Sequence, residues 1–280
     1  MRCAQFFPVR GERERKALSF RHDDGSAGDV NYAVFGAGYA RYRQPDPRIA
    51  AFINKALGNS QSVLNVGAGA GSYEPVGRSV TAVEPSASMR AQRPAHLPAA
   101  VNAVAEHLPF ADESFDACMA VFTVHQWQDL KGGLREMRRV SRNLLVILTL
   151  DPQELPRCWL NVYAPEVIAA EARRYPRIEM FAKEFGCPTE IIPVPIPLDC
   201  TDGFVEAYYG RPELLLDPGA RLACSAWSFV DTSVAPRFEA DLRRSLKSGA
   251  WDSKYGRLRT QPQFEGSLRL VVARLCANVN

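Results

Sequence analysis

Between Val63 and Gly71 the chain reads VLNVGAGAG, a short apolar run that ends on three glycines spaced G-x-G-x-G. Glycine accepts positive φ and lets a ligand come close to the backbone, and a helix after such a turn offers free N–H groups. A turn of this kind is often no more than a tight connection. The next apolar run narrows the choice, because Val80–Val83 ends on Glu84, 17 residues beyond Gly67. An acid at the carboxyl end of a second parallel strand can accept both hydroxyl protons of a ribose. The simpler alternative is a glutamate that caps a short helix over Pro85–Arg90.

The surrounding pattern predicts an α/β fold. Val63–Val66, Val80–Val83, Val101–Ala105, Ala117–Phe122 and Leu144–Leu150 are short, rich in Val and Leu, and bounded by Gly, Pro, Asn or Asp. Runs without clean alternation suit strands buried on both faces, so five of them predict a doubly wound, mostly parallel, Rossmann-like sheet with helices on both faces. A helix is expected from Pro45 and Pro47 to Leu57, stopped by Gly58, and another over Leu130–Val140. The outer face of the second, with Lys131, Arg135, Arg138 and Arg139, reads as solvated rather than phosphate-binding.

The 280 residues suit one large domain with an insert. A composition of 46% hydrophobic and 23% charged residues excludes general disorder, and a net charge of +3 announces neither nucleic acid nor an anionic membrane as partner. Seven scattered cysteines without a C-x-x-C pair, and four histidines apart from them, support no metal site and no disulfide framework. Cys118, inside an expected strand, reads as buried core. The longest apolar run, Leu144–Leu150, is too short to cross a bilayer, and no secretion signal is visible, so a cytoplasmic protein is expected.

Residues 1–30 read as a loose arm, 31–150 as the ligand-binding core with an N-terminal lid segment, and 151–266 as an inserted cap. Residues 267–280 read as a returning strand and tail. The cap brings Trp159, Tyr163, Tyr208, Tyr209 and Trp227, and Tyr163, Tyr208 and Tyr209 are expected to line an acceptor pocket together with Trp127.

A dinucleotide fold wants G-x-G-x-x-G, and here the third glycine arrives one residue early. At this point the chain resembles the class I S-adenosylmethionine-dependent methyltransferases, in particular the small-molecule enzymes built on the methyltransferase type 11 domain. VLNVGAGAGSYEP is similar to their first motif, VTAVEPSASMRAQ to the second-strand acid motif, and AVAEHLPFADESFDACMAVFTVHQW to the region of the third and fourth strands. The resemblance spans residues 32–150 in the expected order, and the C-terminal GAWDSKYGRLRTQPQFEGSLRLVVARL resembles the tail of bacterial members.

The resemblance implies S-adenosyl-L-methionine as cofactor. It puts the methionine part on Gly67, Ala68, Gly69 and Gly71, the ribose on Glu84, and the adenine beside Ala105 and Glu106, packed against Pro85 and Leu108. Val104 stands where the family commonly has an aspartate, so a side-chain acceptor for the adenine is missing there. Tyr39, Tyr42 and Arg43 resemble the segment that closes over the cofactor, and an arginine fork suits a carboxylate; a solvated basic turn explains them equally well.

Phe122, Thr123, His125 and Trp127 follow the fourth expected strand, where the methyl group would be presented. His125 is the one histidine placed to act as a general base there, although packing is the alternative role. The implied partner is a small-molecule acceptor, methylated on O, N or C by a monomer or homodimer. A nicotinamide-dependent oxidoreductase and a non-catalytic ligand-binding member of the fold remain as alternatives.

Overall fold

The computed structural model describes residues 41–275; Tyr39 and the expected N-terminal arm lie outside them. The first element, α1 (Pro47–Leu57), begins where Asp46 accepts the Arg48 N–H (2.9 Å) and Pro47 takes the first helical position. It buries Ile49, Ile53 and Leu57 on one face and stops at Gly58, whose φ is +53°. The sheet then starts with β1 (Ser62–Val66) and β2 (Ser79–Val83), followed by the short α2 (Ala87–Ala91), capped by Ser86. Next come β3 (Phe115–Val121), a single helical turn at Val124–Gln126, α3 (Leu130–Val140) and β4 (Ser141–Leu150).

The remainder holds α4 (Leu160–Tyr163), α5 (Pro165–Arg174), α6 (Glu179–Phe185), β5 (Thr189–Pro193) and β6 (Ile196–Pro197). These are followed by α7 (Pro218–Ala223), α8 (Val234–Ser248), α9 (Ala250–Tyr255), β7 (Gln263–Phe264) and β8 (Leu268–Arg274).

The main sheet runs β2-β1-β3-β4-β8-β5. The first four strands are parallel, and β8 lies antiparallel to both of its neighbours. Alternate residues divide between two cores. Ala117, Met119, Val146, Leu148, Leu270 and Val272 face α1, α4, α5 and α7–α9, whereas Cys118, Ala120, Leu145, Ile147, Val271 and Ala273 face α3 and α6. Both faces are therefore covered, which is why the strands read as continuous apolar runs.

Two expectations change. Val101–Ala105 is not a strand: Val101 alone bridges Val83, because Ala103 N–H turns back to the Val101 carbonyl (3.1 Å) and the chain leaves the sheet. Residues 151–266 are not one continuous insert, since β5 returns to the sheet as its edge, a place that tolerates Pro193. Within the same region, Phe204–Trp227 is mostly turns and single helical turns, with α7 as its one α-helix. Among the described residues, no helix is long and apolar enough to cross a membrane.

The charged face of α3 is occupied by its own counter-ions. Lys131 pairs with Glu184 (2.9 Å), Arg139 with Glu136 (2.7 Å) and Asp112 (2.8 Å), and Arg142, just beyond the helix, with Asp116 (3.1 Å). Arg135 lies 3.7 Å from Asp129.

Candidate active site

β1 and β3 are neighbours, but the chain leaves β1 for β2 on its other side. The order reverses at this point, and a crevice opens beyond the carboxyl ends of β1 and β3. A cavity of about 910 Å³ fills that crevice, near the upper end of the roughly 300–1,000 Å³ usual for small-molecule sites. Its walls include Arg43, Gly67–Gly71, Glu84, Pro85, Val104–Glu106, Phe122, Thr123, Gln126, Trp127 and Asp202.

The glycine turn is held to β2, with the N–H groups of Gly67 and Ala68 both reaching the Val83 carbonyl (2.9 Å each). Gly67 has φ +69°, and a Cβ there would overlap the Thr123 side chain, so this position needs glycine for conformation and for space. Glu84 is 7% exposed and is fixed by two backbone donors, Gly69 N–H to Oε2 and Ser86 N–H to Oε1, each 2.8 Å. A carboxylate oxygen can accept more than one hydrogen bond, so Glu84 offers acceptor chemistry on the cavity wall.

Farther along the wall, Val104 and Ala105 are buried, and Glu106 Oε1 accepts the Asp129 N–H (3.1 Å). Leu108, expected against the adenine, belongs to the core on the α3 side. Trp127 lies on Gly133 of α3, where a Cβ would come 2.5 Å from its ring. Phe122 takes φ +51°, a strained conformation for a bulky residue, as its N–H reaches the Leu148 carbonyl (2.9 Å).

Arg43, from the segment before α1, also lines the cavity. Its guanidinium lies 5.3 Å from the centre of the Phe122 ring and forms an ion pair with Asp202. Tyr42 turns away from the cavity and donates to Asp217 (2.7 Å), which holds the phenol above its ordinary pKa.

The other expected site residues are not gathered here. His125 shares a helical turn with Gln126 but faces Tyr175, ring centres 4.2 Å apart, and is not among the cavity walls. Loss of solvent around the ring, with the charges of Arg174 and Arg43, pushes its pKa well below the usual histidine value. A ring that does not face the cavity is not placed to take a proton from an acceptor, which corrects the expected role as base.

The cap tyrosines are also displaced from the expected pocket. Tyr209 is 1% exposed, stacked on Phe264, and donates to the Gln261 carbonyl (2.6 Å). Tyr208 is buried beside Gly203, and Tyr163 pairs with Ser245 (2.7 Å) against Trp159. Their aromatic bulk fills the core between cap and sheet, so only Trp127 of the expected acceptor residues lines the cavity.

Sequence reasoning missed Asp202 and Tyr73, which meet at the cavity although they lie 129 positions apart, and Asn65, which sits at the end of β1 and donates to Glu74 (3.3 Å). Asn65 was legible as the strand residue before Val66-Gly67; the long-range partners left no local signal. Among the described residues, no group of three or more His, Cys, Asp or Glu could hold a metal ion.

Residues 64–144 match the methyltransferase domain family. Over 112 residues the chain is 34% identical to a demethylmenaquinone methyltransferase of Porphyromonas gingivalis, covering 36% of this chain and 44% of that protein. Over 75 residues it is 32% identical to the uncharacterized protein YafE of Escherichia coli, covering 25% and 36%. The chain thus spans less than half the length of these curated relatives.

The fold agrees over a longer stretch with an Anabaena variabilis protein assigned as a methyltransferase of an antibiotic biosynthesis pathway. The TM-score is 0.77 at 28% identity, covering 84% of this chain and 100% of that one. The YcgJ protein of Bacillus subtilis shares the fold at a TM-score of 0.50 and 15% identity, covering 82% and 98%. With its glycine turn, its mostly parallel sheet and the acid that ends β2, residues 64–144 carry a methyltransferase domain, on a fold that the chain shares with S-adenosylmethionine-dependent methyltransferases of the class I, type 11 kind.

Proposed function

We propose that the cavity binds S-adenosyl-L-methionine and that the protein moves its methyl group by in-line displacement to an O, N or C atom of a small molecule. The observation that carries this reading is Glu84, a nearly buried carboxylate locked by Gly69 and Ser86 on the wall of a cavity that the glycine turn also lines. The residues fit the cofactor. Glu84 would hold the ribose, Gly67–Gly71 the amino-acid end, Pro85, Ala105 and Glu106 the adenine, and Arg43 the carboxylate at the rim.

The bound cofactor supplies a methyl group already activated as a sulfonium, so the protein's part is alignment and exclusion of water. The walls at and beyond the end of β3 suit that part, because Val121, Phe122, Thr123, Gln126 and Trp127 carry no ionisable side chain. Their backbone is fixed by the Phe122–Leu148 and Gln126–Thr123 hydrogen bonds (2.9 and 2.8 Å). A relative named for demethylmenaquinone supports a small-molecule acceptor.

Calorimetry with S-adenosylhomocysteine tests the reading. Wild type should bind, and Glu84→Ala should bind about 10- to 100-fold more weakly, as expected for loss of hydrogen bonds to a charged group. Equal affinity in the two proteins would remove Glu84 from the site, and binding of NADH in place of S-adenosylhomocysteine would replace a methyltransferase by an oxidoreductase.

A further inference from the structure

The cavity is closed on one side by a residue from far along the chain. Asp202 is 2% exposed, lies in the loop after β6, and forms part of the cavity wall. One carboxylate oxygen pairs with Arg43 Nε, and the other accepts the Tyr73 hydroxyl at 2.9 Å. These two partners come from different walls. Arg43 belongs to the segment before α1, and Tyr73 closes the glycine turn two residues after Gly71.

Both partners are held in place from more than one side. Tyr73 has φ +63°, a conformation that a bulky side chain adopts only when its surroundings enforce it. Its hydroxyl is gripped from two sides, since it donates to Asp202 and accepts the Asp46 N–H (3.2 Å). The Arg43 charge is brought over the Phe122 ring, where the Asp202 carboxylate balances it.

The backbone completes the junction. Gly203 N–H donates to the Tyr42 carbonyl (2.8 Å), Arg43 and Asp202 form an antiparallel bridge, and Thr201 N–H reaches Asp46 Oδ2 (3.2 Å). Gly203 has no room for a side chain, because a Cβ would overlap the Tyr208 hydroxyl and come 2.7 Å from the Tyr42 carbonyl oxygen.

We propose that Asp202 is a positioning residue: by holding Arg43 and Tyr73 together it sets the end of the cavity that takes the amino-acid part of the cofactor. This rests on the reading under Proposed function, and it joins the distal loop to cofactor binding through one carboxylate. The nucleoside end, at Glu84 and Ala105, is built by other contacts. Loss of the Asp202 charge therefore penalises a ligand with an amino-acid end and spares one without it.

The test compares S-adenosylhomocysteine with 5′-methylthioadenosine, which keeps the nucleoside and lacks the amino-acid end, by calorimetry on folded protein well below its melting temperature. For Asp202→Asn, S-adenosylhomocysteine affinity should fall about tenfold or more while methylthioadenosine changes by less than about twofold. A merely structural role would weaken both ligands together; that result, or no change in either, overturns the proposal.

Should Asp202→Asn fail to fold, Tyr73→Phe removes a single hydroxyl and must show the same selectivity, with a loss of about three- to tenfold for the amino-acid ligand. Equal losses for the two ligands in Tyr73→Phe overturn the proposal as well. The wild-type arm separates the two ideas. If wild type binds neither ligand, the cofactor reading fails and the proposal falls with it; if wild type binds both and the variants do not discriminate, the proposal alone fails.

Discussion

Phe122 and Trp127 stand just past the end of β3 and line the cavity, whereas Tyr163, Tyr208, Tyr209 and Trp251 lie in the elements after β4 and pack against one another and the sheet. The residue types are alike; the difference lies in what holds them. At the rim the backbone is fixed first, by the parallel strands and by positive φ at Gly67, Tyr73 and Phe122, and the side chains project into space that the sheet leaves open. In the cap the helices are short, and aromatic bulk supplies the cohesion, as in the edge-to-face pair of Trp159 and Trp251 (5.7 Å, 89°). A rim substitution should thus alter ligand binding more than stability, and a cap substitution the reverse.

The largest expected effect is in the cap. Trp251 is fully buried, so Trp251→Ala should cost about 3–5 kcal/mol of stability. The protein that remains folded should keep its S-adenosylhomocysteine affinity within about twofold. Denaturant melts and calorimetry on the same preparation check this, and a large loss of affinity at full folding would erase the contrast between the regions.

The second effect is a pH dependence at the seam where the cap rejoins the sheet. Glu206 is fully buried and bonded to Ser267 just before β8, its Oε2 accepting the Ser267 N–H at 2.9 Å, and burial lifts its pKa to about 7 from 4.5. The folded form then binds the proton more tightly than the unfolded form. The stability contribution is complete below the unfolded value and is lost as pH rises toward about 7, a span of about 3 kcal/mol. Melts of wild type should slope downward from about pH 5 to 7, and those of Glu206→Gln should lack that slope. Parallel curves would place the titration elsewhere.

The smallest effect on stability, with the sharpest effect on binding, belongs to the rim. Gly67→Ala forces a Cβ onto Thr123 in a left-handed conformation and should cost about 2 kcal/mol. It should also abolish measurable S-adenosylhomocysteine binding, and a folded Gly67→Ala protein that binds like wild type would end the distinction drawn here.

These differences follow how far each feature can be read along the chain. The limits of α1 were legible because Pro47 and Gly58 act on their own backbone, and β1 and Glu84 because a strand, a turn and an acid lie within 17 residues of Gly67. The third expected strand was not, since a Val-containing run resembles a strand whether it has a full partner or the single bridge at Val101. Apolar character marked the cap aromatics as important without saying which core they fill. The Arg43–Asp202 pair, separated by 159 positions, exists only once the sheet has brought both ends of the cavity together.

The position of β8 sets an order on the completion of the fold. The chain makes β4 and β5 first and then, more than seventy residues after Pro193, supplies the strand that fits between them. Two neighbours separated by one missing strand face each other across roughly 10 Å, each with an unpaired row of N–H and C=O groups. Until Leu268–Arg274 arrives, any extended peptide of suitable register can take that slot. The seam beside the edge strand β5 is thus the last in chain order, and a chain stalled before it would be prone to adopt a stranger's strand.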